Sequence, residues 1–515
     1  MLSIKSIKNS YFFSAFFWST LCKILNAVLG FISVPLLLGY FGKADYGLLT
    51  IATVCNGYMH LMDLGMNTGT IKFIAQWEAE GQQELIHKVS RTNITFYLLI
   101  SLVNSLLLVF LAIWGESLFS VTHEQFLKLR NCFYILAIFS PISWISTVYT
   151  QLLTAYKKIS FTMQIQCILS VLRALLIVAI FIFSLTLIEY FFYLTFFVSL
   201  AIIPYMIRCK RAIYIVTFKP AVYWSDFKSV LSFSIALFAL SLFQVTATQS
   251  RPIIFSIFSD VGAEAVADFN IVQVIPSFII TLCASLTGIF LPKTSEMLIK
   301  SNRNEIQSYV NSWTLKTTIL VCTLCFPFIV GAKEILSAYV GLEYVYLAKW
   351  LQIWCFFLII QMHSTPAYSF VISNGKTKIL VYATSIACIL SILLNALLCK
   401  VLPVGSAIIG YVLYMILLIG VYYLYLYKVY LKLNRLSIFL SFIKPTTIAI
   451  LCVVFPYSID VNGIFNGFVN NSRIVYILEF ASRSLLWLVP FFMLLFTTKM
   501  LNVSVLKKEN YEFNQ

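Results

Sequence analysis

The chain has 515 residues, of which 60% are hydrophobic and only 11% charged, whereas a soluble protein carries roughly 25% charged residues. Mean hydropathy is +0.91, and apolar runs of the roughly 20 residues needed to cross a bilayer recur from end to end. These values exclude a soluble enzyme, and they leave the net charge of +16 to be explained by where the cations lie.

Taken in order, the apolar runs predict about fourteen crossings: 12–40, 46–76, 94–114, 131–155, 161–184, 187–207, 229–258, 264–291, 313–332, 350–373, 379–402, 404–427, 438–458 and 474–498. Backbone polar groups in lipid must be satisfied within each segment, so these are helices. A barrel would need alternating strands of about ten residues, which are not seen. The first run, from Tyr11 to Tyr40, is too long for a signal-peptide core and lacks a small-x-small cleavage site, so it is expected to stay as the first helix. The connecting pieces near 77–93, 115–130, 208–228 and 292–312 are too short for a soluble domain.

Orientation follows from Lys and Arg placement. With the N-terminus cytoplasmic, 24 of these residues fall inside; Lys43, Lys128, Arg130, Lys333, Lys349, Lys400 and Arg473 make 7 outside. Both termini are then cytoplasmic. The basic charge is topological, and nucleic acid is excluded as a partner. The twelve cysteines are scattered through apolar runs; Cys322 and Cys325 form a CxxC mid-span with no nearby His or second pair, and read as packing residues.

A repeat connects the two halves. CILSVLRALL, from Cys167, resembles CILSILLNALL, from Cys388, and each follows a basic turn, AYKKI from Ala155 and NGKTK from Asn374. The two lie six spans apart and share one orientation. This predicts an all-α polytopic membrane protein with two six-helix lobes, residues 1–228 and 229–430, plus a C-terminal helix pair and tail at 431–515. Parallel repeats of this kind are a recognised transporter plan.

Polar residues spaced three and four apart share one helix face. Such stripes occur in span 1 (Ser19, Lys23, Asn26, Gly30, Ser33), span 2 (Asn56, His60, Asp63, Asn67) and span 5 (Gln166, Ser170, Arg173). Span 7 has Ser241, Gln244, Thr248 and Arg251; span 8 has Asp268, Asn270, Gln273 and Ser277. Facing lipid, Lys23, Asp63, Arg173 and Arg251 would together cost on the order of 10 kcal/mol. The stripes are therefore expected to face the interior, either as buried pairs that fix packing or as the wall of a hydrated cavity. Spans 1, 2, 7 and 8 are equivalent pairs in the two halves, which favours the cavity. Lys72 falls on the other side of its helix and reads as snorkelling. His363, beside Pro366, is expected to be packed and hydrogen-bonded; Glu479 and Arg483, four apart, read as a structural ion pair.

No nucleotide site is present. GKT at Gly375–Thr377 lacks the Gly that a Walker A places five residues earlier, where Phe370 stands. HEQFL at His123 is not HExxH, and no loop carries paired carboxylates or a nucleophile with its base. No cofactor is implied. The chain is expected to be a non-enzymatic transporter or flippase.

Two stretches, VPLLLGYFGKADYGLLT and LMDLGMNTGTIKFIAQW, carry a family pattern in Pro35, Leu38, Gly39, Asp45, Tyr46 and Gly47, then Asp63, Leu64, Gly65 and Met66. NGKTK, Asn395 and LPVGSAIIGY continue it. The pattern resembles the Wzx-type polysaccharide flippases of the multidrug/oligosaccharidyl-lipid/polysaccharide exporter superfamily, over most of residues 10–430. The resemblance implies two lobes with helices 1, 2, 7 and 8 lining a central cavity, in the inner membrane of a bacterium. It implies transport, without ATP, of an undecaprenyl-pyrophosphate-linked oligosaccharide to the periplasmic leaflet for O-antigen or a related lipopolysaccharide glycan. Partners would be that substrate, membrane lipids, a polysaccharide polymerase and a chain-length regulator. Candidate substrate-binding residues are Lys23, Asn26, His60, Asp63, Asn67, Arg173, Gln244, Arg251, Asp268 and Gln273. Asp63, beside His60, is the candidate group for coupling to H+ or Na+ and the expected resting counter-ion of Arg251 and Lys23. The extra pair at 438–498 departs from twelve-span relatives. A multidrug cation antiporter and a membrane-embedded polysaccharide polymerase are the alternatives; the first favours an acidic cavity, the second a large periplasmic loop.

Overall fold

The structure, a computed structural model, describes residues 11–212, 219–260, 262–373, 378–461, 465 and 472–500. Among them there is helix and no strand. The helices are α1 Tyr11–Met59, α2 Met66–Ala79, α3 Gln83–Trp114, α4 His123–Ala155, α5 Ile159–Phe183, α6 Leu187–Leu200, α7 Ile202–Ala212, α8 Trp224–Phe258 and α9 Gly262–Lys300. They continue as α10 Arg303–Val330, α11 Ala332–Tyr339, α12 Ala348–Met362, α13 Thr365–Ser373, α14 Lys378–Leu398, α15 Pro403–Val421, α16 Arg435–Leu451, α17 Val454–Ser458 and α18 Ser472–Thr497. A π-helical stretch, Tyr422–Tyr430, follows α15.

Among the described residues, twelve segments are long and apolar enough to cross a membrane. The first, Phe17–Asp63, has 47 residues, about 70 Å of helix, more than twice the ~30 Å hydrocarbon thickness. It breaks at Gly42 (φ 80°, ψ 169°), a backbone state reserved for glycine, and so supplies the two crossings expected at 12–40 and 46–76. α8, of 35 residues, is the seventh expected crossing and stands outside the twelve. Counted this way, the chain is the roughly fourteen-span, all-helical membrane protein that the sequence predicts.

Some expected spans are not continuous. The second breaks again at His60–Gly65. The tenth stops at Met362 and resumes at Thr365; Pro366 lacks an N–H and disfavours a helical residue before it. Helix starts carry their own signals: Thr122 with Gln125, Thr186 with Glu189 and Asn302 with Glu305 each form a reciprocal capping box.

The chain divides into two compact units. The first is Met1–Asn270 with Ile392–Ser406; the second is Ile271–Ser391 with Ala407–Gln515. In the first, α3 and α4 form an antiparallel hairpin, α1 packs on α5, and α8 packs on α1 and α2. Ile74, Trp77, Val89, Tyr97, Trp144 and Phe227 belong to its core. In the second unit α10 packs on α12, α16 and α18, and α11 on α18. There Trp487 stacks on Phe326 at 4.8 Å and donates to the Ala449 carbonyl at 2.9 Å. Arg483 Nε lies 2.9 Å from Glu334 Oε1, and Arg483 Nη1 donates to the Pro456 carbonyl at 3.0 Å. His363 is buried, as expected, with Nε2 2.9 Å from the Tyr423 hydroxyl. All twelve cysteines, Cys322 and Cys325 included, are free and buried. The NGKTK turn lies outside the described residues at Asn374–Thr377.

Candidate functional site

The stripes of spans 1 and 5 meet inside the first unit. α1 packs along α5, and Ser170 Oγ lies 2.9 Å from Asn26 Oδ1. Asn26 Nδ2 in turn donates to the Cys22 carbonyl at 3.0 Å. One turn along α5 from Ser170, Arg173 enters a cavity of about 360 Å³ between the two halves of α1 and helices α4, α5 and α6. Its polar wall includes Asn26, Ser33, Asn56, Ser140, Tyr190 and Thr195. Arg173 is the one charged residue among the described lining residues, and none of them is a carboxylate. A lone guanidinium among amides and hydroxyls is a donor-rich surface suited to an anion or a sugar hydroxyl.

The stripe of span 2 is built around a helix break. His60–Asp63 is a 3₁₀ turn, Leu64 and Gly65 are left-handed (φ 51° and 73°), and α2 begins at Met66. Asp63 Oδ2 accepts from the Asn67 N–H at 3.0 Å, satisfying a donor in the first turn of α2. Asp63 Oδ1 accepts from the Tyr97 hydroxyl. Gln151 Nε2 donates to that hydroxyl at 2.7 Å, and Asn93 Nδ2 donates to Gln151 Oε1 at 2.8 Å. Tyr97 stacks on Trp144 at 5.6 Å, and the His60 ring lies 5.2 Å from Trp144. His60 and Asn67 are exposed beside the break, whereas Asn93, Tyr97 and Gln151 are fully buried.

Other candidates fall elsewhere. Lys23 is exposed on α1, one turn before Asn26. Arg251 is 5% exposed in α8. Asp268 is buried and lies 3.0 Å from Lys43 Nζ, which also approaches Glu264 at 3.8 Å. Asn270 Nδ2 donates to the Tyr46 and Thr50 hydroxyls. Gln273 is half-buried on α9, in the second unit. Gln244 lies in α8 with its side chain outside the described residues. Lys72 holds its ammonium 3.8 Å above the Phe233 ring, a cation–π contact.

Sequence reading missed Asn93, Tyr97, Gln151 and Ser140. The signal was available: Asn93, Tyr97, Ser101 and Asn104 on α3, and Ser140, Trp144, Thr147 and Gln151 on α4, repeat the same three-and-four spacing. The two faces meet, with Asn104 Nδ2 donating to Ser140 Oγ at 3.1 Å. Without a formal charge, these stripes carry a weaker burial cost than those of spans 1, 2, 5, 7 and 8.

A family described as "Polysaccharide biosynthesis protein" matches residues 13–298. No curated protein matches the chain in sequence. Among solved structures, the chain is similar to the lipid II flippase MurJ in an inward closed conformation, with a TM-score of 0.69 at 14% identity, covering 93% of this chain and all of that one. It is also similar to an inward-facing multidrug resistance MATE family transporter of the MOP superfamily (TM-score 0.61, 14% identity, 81% of this chain and 96% of that one). The MATE multidrug transporter DinF-BH gives a TM-score of 0.59 at 16% identity over 84% of this chain and 98% of that one. The fold is that of the MOP-superfamily transporters.

Proposed function

We propose, from the premise that this chain belongs to the polysaccharide biosynthesis protein family, that it flips an undecaprenyl-pyrophosphate-linked oligosaccharide from the cytoplasmic to the periplasmic leaflet. The product would feed O-antigen or a related surface polysaccharide. The reading places the protein in a bacterial inner membrane with both termini cytoplasmic and lobes at 1–228 and 229–430. It makes the protein a transporter and not an enzyme.

The observation that carries the reading is the cavity holding Arg173. A headgroup with a pyrophosphate and acidic sugars needs a cation that stays charged in a low-dielectric interior. Guanidinium does not deprotonate and can grip a phosphate or carboxylate with two N–H groups. Asn26, Asn56, Ser33 and Thr195 supply the neutral donors and acceptors that sugar hydroxyls require. Lys23 and Arg251 would add positive charge elsewhere on the path. A cation exporter would be served by carboxylates, and none lines this cavity among the described residues.

Deletion of the gene tests the reading. Surface glycan should be lost, and unpolymerised lipid-linked repeat should accumulate on the inner leaflet. Accumulation on the outer leaflet would identify a polymerase instead, and unchanged glycan with a new drug sensitivity would identify a drug exporter.

A further inference from the structure

We propose that Asp63 is a positioning residue: it is a fixed hydrogen-bond acceptor that holds the break in the second span and so seats α8, and it carries neither a proton nor the resting charge of a substrate-binding cation. With Asp63 ionised, as proposed, the whole chain of groups is ordered. An ionised carboxylate can only accept, so the Tyr97 hydroxyl donates to Asp63. The Tyr97 oxygen is then left to accept, which fixes Gln151 Nε2 as the donor at 2.7 Å. Gln151 Oε1 therefore faces Asn93 Nδ2 at 2.8 Å. Three buried side chains from α3 and α4 thus point their donors along one line that ends on Asp63. Its other oxygen is taken by the Asn67 N–H. Both carboxylate oxygens are committed to structure, and the His60 ring lies 5.2 Å from that of Trp144.

The break that Asp63 holds matters because of what it presents. At Gly65 a Cβ would stand 2.4 Å from the Ser234 carbonyl oxygen of α8, and at Gly69 a Cβ would stand 2.0 Å from Ser234 Oγ. α2 and α8 therefore touch nearly backbone to backbone. That approach needs the left-handed Leu64–Gly65 turn, which the Asp63–Asn67 bond closes on its α2 side. His60 and Asn67 are left exposed on either side of the turn.

This inference rests on the flippase reading only for its transport readout. Asp63→Asn can keep the chain by reversing it. Its amide oxygen takes the Asn67 N–H, its amide nitrogen donates to Tyr97, Tyr97 donates to Gln151, and Gln151 donates to Asn93 Oδ1, which has no hydrogen-bond partner among the described residues. Asp63→Leu can do none of this. Surface glycan should fall by no more than about fivefold in Asp63→Asn, where neutral bonds replace charge-assisted ones of roughly twice the strength. It should fall by about ten- to a hundredfold in Asp63→Leu, which leaves buried donors unsatisfied. Tyr97→Phe, which leaves the charge in place, should show a smaller loss of the same kind. The melting temperature of the purified full-length protein in detergent should follow the same order, and this holds even if the glycan assay shows the flippase reading to be wrong. An inactive Asp63→Asn with normal protein level and melting temperature overturns the proposal in favour of a charge or proton role. So does a Tyr97→Phe that is indistinguishable from the parent while Asp63→Leu is dead, or an Asp63→Leu that behaves like the parent.

Discussion

Arg173 and Arg483 are both arginines on membrane-crossing helices, one in each unit, and the protein treats them in opposite ways. Arg483 is closed in: its side chain is 9% exposed, with Glu334 at 2.9 Å and the Pro456 carbonyl at 3.0 Å. Arg173 stands exposed at the wall of a cavity whose described lining has no carboxylate. A charge that has been desolvated must be paired, and breaking the pair leaves an uncompensated ion. A charge kept at the wall of a polar cavity can meet an external partner. Residue type is the same for both; the surroundings separate a staple from a site.

The largest effect should come from Arg483. Arg483→Ala leaves Glu334 buried without its cation and should cost about 3–5 kcal/mol, seen as low protein level and a lowered melting temperature in detergent. The double change Glu334→Leu with Arg483→Met removes both charges, and most of the stability should return. An Arg483→Ala protein as stable as the parent would erase the contrast.

Arg173→Ala should leave protein level and melting temperature near those of the parent. On the proposed function it loses a charge-assisted contact to the substrate, a drop of about ten- to a hundredfold in glycan export. Arg173→Lys should recover only part of it, because a point charge replaces a fork. Full export from Arg173→Ala, or a loss explained wholly by missing protein, would turn Arg173 into another packing residue.

The smallest effect should come from Lys43, whose side chain is 27% exposed and which pairs with Asp268. This is the intermediate case, a partly exposed cation on a buried carboxylate, so Lys43→Ala should cost less than Arg483→Ala, about 1–2 kcal/mol. A loss as large as that of Arg483→Ala would show that exposure is not the variable that sorts these cations.

Much of this was legible in the sequence. The helical class, the roughly fourteen crossings and the interior facing of Asn26, Ser170 and Arg173 follow from run length and from a three-and-four spacing, which are local properties of a helix in lipid. The buried state of His363 also follows, because a histidine mid-span has few alternatives. What the sequence could not reach is pairing. Asp63 has the same sequence signal as a coupling carboxylate, and only the approach of α3 and α4 shows it holding Tyr97 and, through Tyr97, Gln151 and Asn93. Arg483 lies 2.9 Å from Glu334, nearly 150 residues away in the chain, a partner that its own helix does not announce. The bilayer dictates which residues must form helices and which faces must avoid lipid, because the cost of an unsatisfied group is local. Which polar face meets which is decided by helix packing between segments far apart in the chain, and that is a property of the tertiary structure alone.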